Sequence, residues 1–327
     1  ALLISESFQS VLNFGQINMS LELFSTMRVV VLPTKTNFRG INLREVALFK
    51  GEYGWGEFSP FLEYGCEESA PWLMCAIEAA TKPRPKLYRT SVKVNGTIPA
   101  INDPADIERI VGSFPGVKTF KVKVGDNLPE DIARLAKVRA LAPKSKLRLD
   151  VNGNWDVATA VTNLRAIYEN VGPLEYVEQP CATMEESARV KARSRQPFIL
   201  DESLLTSADI LRAHELNAMD AVMLKISRFG GITPVKKARD ISMALGLALT
   251  VEDSGGGDII TAAMAHLSAS TSERFFLNGF FTGSMVKERI TEWGCKNSGG
   301  FGELPTGTGL GITVDEEILG KPIHTYA

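Results

Sequence analysis

Six residues of this chain stand at spacings that invite chemistry. Lys121 and Lys123 are two apart in Thr119-Phe-Lys-Val-Lys-Val-Gly125, and beyond them the charged residues that close apolar runs are Asp150, Glu178, Asp201 and Lys225. Counted from Lys123, the gaps are 27, 28, 23 and 24 residues. One strand, one helix and two loops consume that much chain in a parallel β/α unit, so the charged residues would recur at equivalent places in successive units. Three carboxylates at strand ends, with positions left open for water and substrate, are a hard oxygen set suited to Mg²⁺, one per site. The chain has three histidines, His214, His266 and His324, which disfavours a nitrogen-rich zinc or iron centre. Any one acid at a strand end can be explained as the cap of the next helix; three in register with lysines at the same level are harder to explain that way.

Lys121 and Lys123 project to the same side of a strand because side chains alternate with period two. Two ammonium groups held close, partly desolvated and near a metal, disfavour each other's protonation. Bringing a lysine from about 10.4 to about 7 requires roughly 4–5 kcal/mol, which these effects together can supply, so Lys123 is expected to act as a neutral base. Lys225, from the sixth strand, would stand across a barrel from the second. A substrate carboxylate held between them would present its α-carbon to one lysine on each face, and the reaction class is abstraction of a proton α to a carboxylate.

The elements that must position these groups follow from the hydrophobic pattern. Residues 27–33 and 43–49 are β-branched runs that predict a small antiparallel sheet. The aromatic stretch Trp55-Gly-Glu-Phe-Ser-Pro-Phe-Leu-Glu-Tyr64 is either a core-packing connection or a loop that covers a pocket. A helix is expected over 67–80, and the basic segment 82–86 marks a domain boundary. Eight strands are then expected at 92–98, 119–125, 146–151, 174–178, 197–201, 221–226, 247–251 and 275–279. The segments between them read as helices. Pro129 with Glu130 and Asp131 opens one, Asp156 caps the next, and Ser207 starts a third. Eight strands alternating with helices predict a closed parallel (β/α) barrel, with a doubly wound open sheet as the alternative. The division expected is an N-terminal α+β capping domain over 1–88, with 1–18 a possible extension, a barrel over 89–298, and a glycine-rich segment over 299–327 that packs back on the capping domain.

Composition narrows the partners. With 44% hydrophobic and 23% charged residues and a formal net charge of −2, the chain has no general attraction to nucleic acid or anionic membrane, which leaves a small molecule. No apolar run approaches the roughly 20 residues of a membrane span. Cys66, Cys75, Cys181 and Cys295 lack metal-binding or disulfide spacing and read as reduced thiols of a cytoplasmic protein. Nothing in the pattern specifies an oligomeric state.

The Lys-x-Lys pair, the Asp, Glu and Asp on the next three strands and the lysine on the sixth resemble the enolase superfamily, and within it the muconate-lactonizing subgroup. The resemblance implies a modified TIM-like barrel with a capping domain, Lys123 and Lys225 as acid/base residues, Lys121 as the residue that tunes Lys123, and Mg²⁺ on Asp150, Glu178 and Asp201. Phe38-Arg-Gly-Ile41, the stretch 55–64 and Leu174-Glu-Tyr-Val-Glu-Gln-Pro-Cys-Ala-Thr183 further resemble the o-succinylbenzoate synthases of actinobacterial type. That family implies a syn-dehydration, a lyase reaction of menaquinone biosynthesis. Lys123 would remove the α-proton and Lys225 would stabilise the charge as a cation. The stretch 251–267, with Gly255-Gly-Gly257, is instead similar to proline-betaine and hydroxyproline epimerases or dehydratases of the same subgroup. An epimerase of an N-substituted amino acid using the same two lysines, and an inactive barrel with a binding role, are therefore the alternatives. Substrate-pocket candidates are Phe58, Leu62, Tyr64, Asn152, Asp253 and Gly256. The glycine run is either a tight turn with Asp258 as a helix cap or a direct ligand contact.

Overall fold

Apolar residues bury both faces of a three-stranded antiparallel sheet, β1 (Arg28–Phe38), β2 (Ile41–Gly51) and β3 (Gly54–Phe58), with Val46 and Leu48 on one face and Ala47 and Phe49 on the other. It is preceded by α1 (Leu3–Phe14) and followed by α2 (Cys66–Thr81). The computed structural model describes residues 3–14, 21–38, 40–279, 286–287 and 290–319. Helix α2 lies on the sheet closely enough that a side chain at Gly56 would collide with the Ala76 carbonyl, so glycine is required there. Phe8 of α1 meets Phe24 and Phe58 edge to face, with ring centroids 5.0 and 5.6 Å apart. Ile4, Phe8 and Val11 are fully buried, so residues 3–14 of the expected extension form part of the core. Each such side chain removed from water contributes about 1.5–3 kcal/mol.

The chain then passes through β4 (Ser91–Lys93) and β5 (Gly96–Ile98), and alternates α3 (Pro104–Gly112), β6 (Thr119–Lys123), α4 (Leu128–Leu141), β7 (Lys146–Asp150), α5 (Val157–Val171) and β8 (Tyr176–Glu178). It continues as α6 (Met184–Lys191), β9 (Phe198–Leu200), α7 (Ser207–Glu215), β10 (Ala221–Lys225), the single turn α8 (Ile226–Phe229), α9 (Ile232–Ala244), β11 (Ala248–Glu252), α10 (Asp258–Ala269) and β12 (Phe276–Gly279). Strands β5 to β12 are adjacent in chain order in one eight-stranded sheet. Val94 bridges in parallel to Gly279, and Asn95 N–H donates to the Gly279 carbonyl at 3.0 Å, so the two edges meet. The fold is therefore the barrel rather than the open sheet.

One expected strand is divided. Residues 92–98 do not run through a single sheet: β4 pairs antiparallel with β14 (Phe301–Glu303), itself paired with β13 (Asn297–Ser298), and only β5 pairs with β6. The last described helix, α11 (Glu316–Leu319), places Glu316 against Arg28 and Lys50. Residues 320–327 of the expected tail and 1–2 and 15–18 of the expected extension lie outside the described residues.

Helix starts fall into two groups. From α3 to α7 each helix has a side-chain cap of its own: Asp103, Asn127, Asp156, Thr183 and Thr206 accept backbone N–H groups of the first turn. Thr206, not Ser207, caps α7. Helices α9 and α10 begin after Gly231 and Gly257, which have no side chain to offer. Asp258 is thus the first residue of α10 rather than its cap; its carboxylate accepts from Thr291 Oγ1 at 2.5 Å and Cys295 Sγ at 2.9 Å. None of the four cysteines is in a disulfide, and no described helix is long and apolar enough to cross a membrane.

Candidate active site

Parallel register brings the charged residues together. Lys123 pairs with Asp150 across β6 and β7, Asp150 with Glu178 across β7 and β8, and Lys225 with Glu252 across β10 and β11. Asp201 follows directly after β9. All of these are at the carboxyl ends of their strands, where neighbouring side chains converge on the barrel mouth. Lys123 Nζ donates to Asp150 Oδ2 at 2.9 Å and Asn152 Oδ1 at 2.7 Å. Lys225 Nζ donates to Asp201 Oδ2 at 2.5 Å, and Arg228 holds the other oxygen, Oδ1, at 2.7 Å. Lys121 Nζ sits among three carboxylates, 2.8 Å from Glu178, 3.2 Å from Asp150 and 3.4 Å from Glu252.

These neighbours set the proton affinities. Burial alone would raise Asp150, but the ammonium groups of Lys121 and Lys123 outweigh it and hold the carboxyl down to about 2. Asp201 is likewise lowered, because Lys225 and Arg228 outweigh its burial. Glu178 goes the other way: burial, reinforced by the charges of Asp150 and Asp201, pushes it well above the usual carboxylate range against the pull of Lys121. Burial would lower Lys121 and Lys225, yet the surrounding carboxylates dominate and raise both. The expected mutual depression of paired lysines therefore does not govern Lys121: three acids lie closer to its charge balance than its neighbour does.

The fit to a divalent cation rests on the donors. Asp150, Glu178 and Asp201 are essentially buried, and Glu178 Oε2 has no hydrogen-bond partner among the described residues. A buried carboxylate oxygen without a partner, flanked by two more acids, is costly unless a cation joins it. As they stand, no three His, Cys, Asp or Glu side chains among the described residues are gathered tightly enough to hold a metal, since each acid is turned toward a lysine or arginine. The donor type and charge fit Mg²⁺; the lysines occupy the same carboxylates.

The pocket candidates separate. Asn152 belongs to the site, accepting from Lys123 and donating to Glu202 at 2.9 Å. Tyr64 stacks edge-on with Phe61 and Trp72 and is an electrostatic neighbour of Arg228. Leu62 is exposed at 42%. Phe58 does not face a pocket: it is fully buried against Phe8, because strand alternation turns it into the small-sheet core. Asp253 is buried, its carboxylate accepting Ser227 N–H at 3.1 Å and Gly256 N–H at 3.2 Å, with Lys225 among its charged neighbours. The residue before it, Glu252, faces Lys121. Sequence reasoning passed over Glu252, although it closes the apolar run Ala-Leu-Thr-Val in the same way as the three chosen acids. Arg228, three residues after Lys225, carried no such signal.

The glycine turn is held by the small sheet. Glu57 of β3 is buried and accepts from Gly257 N–H at 2.5 Å and Ile260 N–H at 3.2 Å, while Ser59 Oγ donates to it at 2.9 Å. Arg44 of β2 donates to the Gly255 carbonyl at 3.2 Å and to the Ser59 carbonyl. Of the two readings of Gly255–257, the tight turn that starts a helix accounts for Gly256 N–H, Gly257 N–H and the Gly255 carbonyl.

A parallel barrel with a capping sheet and a Lys-x-Lys, Asp, Glu, Asp, Lys series at its mouth defines a class, and the chain belongs to the enolase superfamily. Residues 29–80 match the enolase N-terminal domain-like family and 111–318 the enolase C-terminal domain-like family. The chain is 42% identical over 261 residues to an o-succinylbenzoate synthase of Thermobifida fusca, covering 79% of this chain and 80% of that protein. It is 36% identical over 284 residues to one of Mycolicibacterium smegmatis, covering 84% and 86%. A solved enolase-superfamily member from Roseovarius nubinhibens ISM, complexed with magnesium, superposes with a TM-score of 0.74 at 24% identity, covering 92% of this chain and 98% of that one.

Proposed function

We propose that this chain is a lyase that forms o-succinylbenzoate by removing a proton α to a ring carboxylate and expelling water from a hydroxylated cyclohexadiene precursor. The observation that carries the chemistry is the placement of two partly buried lysines, Lys123 on β6 and Lys225 on β10, four strands apart in an eight-stranded barrel and therefore on opposite walls. The 36–42% identity to synthases over about four-fifths of the chain supports the substrate class.

Asp150, Glu178 and Asp201 are the residues that would hold Mg²⁺, which when bound supplies Lewis-acid stabilisation of negative charge on the substrate carboxylate. Lys123, oriented by Asn152, takes the α-proton on its free amine. The C–H electron pair moves into the ring, the C–O bond breaks, and the new Lys123 ammonium returns its proton to the departing hydroxyl on the same face, so one water leaves. Lys225, whose proton affinity is raised by Asp201 against its burial, stays an ammonium on the other face and stabilises the developing charge.

Incubation of the protein and Mg²⁺ with the precursor should produce the aromatic product's absorbance. α-Proton exchange into deuterated solvent without loss of water would overturn the dehydratase reading in favour of an epimerase.

A further inference from the structure

Glu57 and Arg44 connect three segments. Through Gly255, Gly257 and Ile260 they hold the turn that directly follows Glu252, the strand partner of Lys225. Through the Ser59 hydroxyl and carbonyl they hold the middle of the aromatic stretch 55–64, ahead of Phe61 and Tyr64. The Arg44 guanidinium also lies 4.8 Å over the Phe61 ring, which packs at 5.3 Å on Tyr64. Within the turn itself only Asp253 holds Gly256 N–H among the bonds described; Gly255 has a left-handed φ of +79°, and the Gly257 cap position has no side chain. Both partners are buried, Glu57 at 1% exposure and Arg44 at 7%, so the link is shielded from competing water.

We infer that Glu57 is a positioning residue that locks the seventh-strand turn to the aromatic stretch, giving the substrate pocket its shape from both sides at once without touching the reacting atoms. Its two carboxylate oxygens accept one each of Gly257 and Ile260 N–H, so an amide in its place would set an NH₂ group against one of those donors. Substrate affinity should then suffer more than the chemical step, since the lysines and acids of the barrel mouth are bonded among themselves.

Glu57→Gln tests this in the full-length protein. Amide hydrogen exchange of residues 255–260 should accelerate by at least about tenfold, because the capping acceptor is lost. KM for the cyclohexadiene precursor should rise at least about tenfold while kcat changes less than about threefold, the pattern of lost binding rather than lost proton transfer. Ser59→Ala, which removes one hydrogen bond to the same carboxylate, should shift both readouts the same way by a smaller factor and covers the case in which Glu57→Gln fails to fold. Unchanged exchange would overturn the link itself. Faster exchange with unchanged KM, or an equal fall in kcat and kcat/KM, would overturn the role in the pocket. The kinetic arm rests on the dehydratase reading. Should the wild-type protein not turn over the precursor, that reading falls, while the exchange arm still decides whether Glu57 holds the turn.

Discussion

The two halves of the barrel are finished differently. Helices α3 to α7, which surround the strands bearing Lys123, Asp150, Glu178 and Asp201, carry their own caps within the chain: Asp103, Asn127, Asp156, Thr183 and Thr206. Helices α9 and α10, on either side of β11, begin with glycine and borrow carboxylates from the small sheet and its helix. Glu78 of α2 accepts Thr233 N–H at 3.1 Å and the Thr233 hydroxyl, and Glu57 accepts Gly257 and Ile260 N–H. A carboxylate at a helix start satisfies orphan donors and complements the helix dipole from whichever part of the chain it comes. The half with the proposed metal ligands is therefore complete in itself, whereas the half that bears Lys225 and the glycine turn is completed only when the small domain is docked.

Chemistry should be the one property in which the halves are indistinguishable, and it has the largest expected effect. Lys123→Ala in the self-capped half and Lys225→Ala in the borrowed half should each lower turnover of the precursor by at least about a thousandfold, in line with the worth of acid/base groups, with folded circular dichroism retained. Retained activity in either variant, measured by product absorbance, would remove that half from the mechanism.

The same contrast explains what the sequence disclosed. Asp156 and Pro129 were legible because a cap and its helix are neighbours in the chain, and the five charged strand ends were legible because one β/α unit repeats at a nearly fixed length. Glu57 and Glu78 were not, because their helices lie 200 and 155 residues away and a glycine before an apolar run reads as a turn. The division of 92–98 was hidden for a related reason: β4 takes its partner from Phe301–Glu303, in the glycine-rich tail. Phe58 was misassigned because an aromatic loop gives no phase for deciding which rings face inward, whereas its position at the end of β3 does.

Acid should loosen the borrowed half first. His266 of α10 is buried, its Nε2 proton is donated to the Leu310 carbonyl at 2.8 Å, and its Nδ1 has no partner among the described residues. Burial lowers its pKa from 6.5 to about 4. The unfolded chain binds this proton below about 6.5 and the folded chain only below about 4, so its contribution is complete above the upper value and is lost as pH falls to the lower. The loss approaches about 3 kcal/mol. Urea unfolding of wild type and His266→Gln across that window should show a shallower acid decline in the variant; parallel curves would mean that the imidazole takes up no proton on unfolding.

Metal linkage tests whether the other half is independent. At about a hundredfold excess over its dissociation constant, Mg²⁺ should stabilise the fold by about 2.7 kcal/mol if it binds only the native state. Glu178→Gln should abolish the increase in melting temperature. Glu78→Ala should leave it unchanged although the protein starts less stable, and a smaller increase in that variant would show that the metal site feels the small domain after all.

The smallest effects compare one cap of each kind. Thr183→Ala removes a local cap on α6 and should cost about 1 kcal/mol, confined to exchange of that helix's first turn. Glu78→Ala strips the acceptor from the N–H and hydroxyl of Thr233 and should cost about 1–2 kcal/mol, because the bonds to a nearly buried carboxylate are lost while water still reaches Thr233. The sum matters less than where the loss is felt. The first variant should leave exchange in α2 untouched, since α6 stands free of the small domain. The second should speed exchange in both α2 and the start of α9, because the same bond holds a helix of each. Equal and purely local effects from the two substitutions would mean that a borrowed cap is only a cap, and that the small domain is docked by its apolar contacts alone.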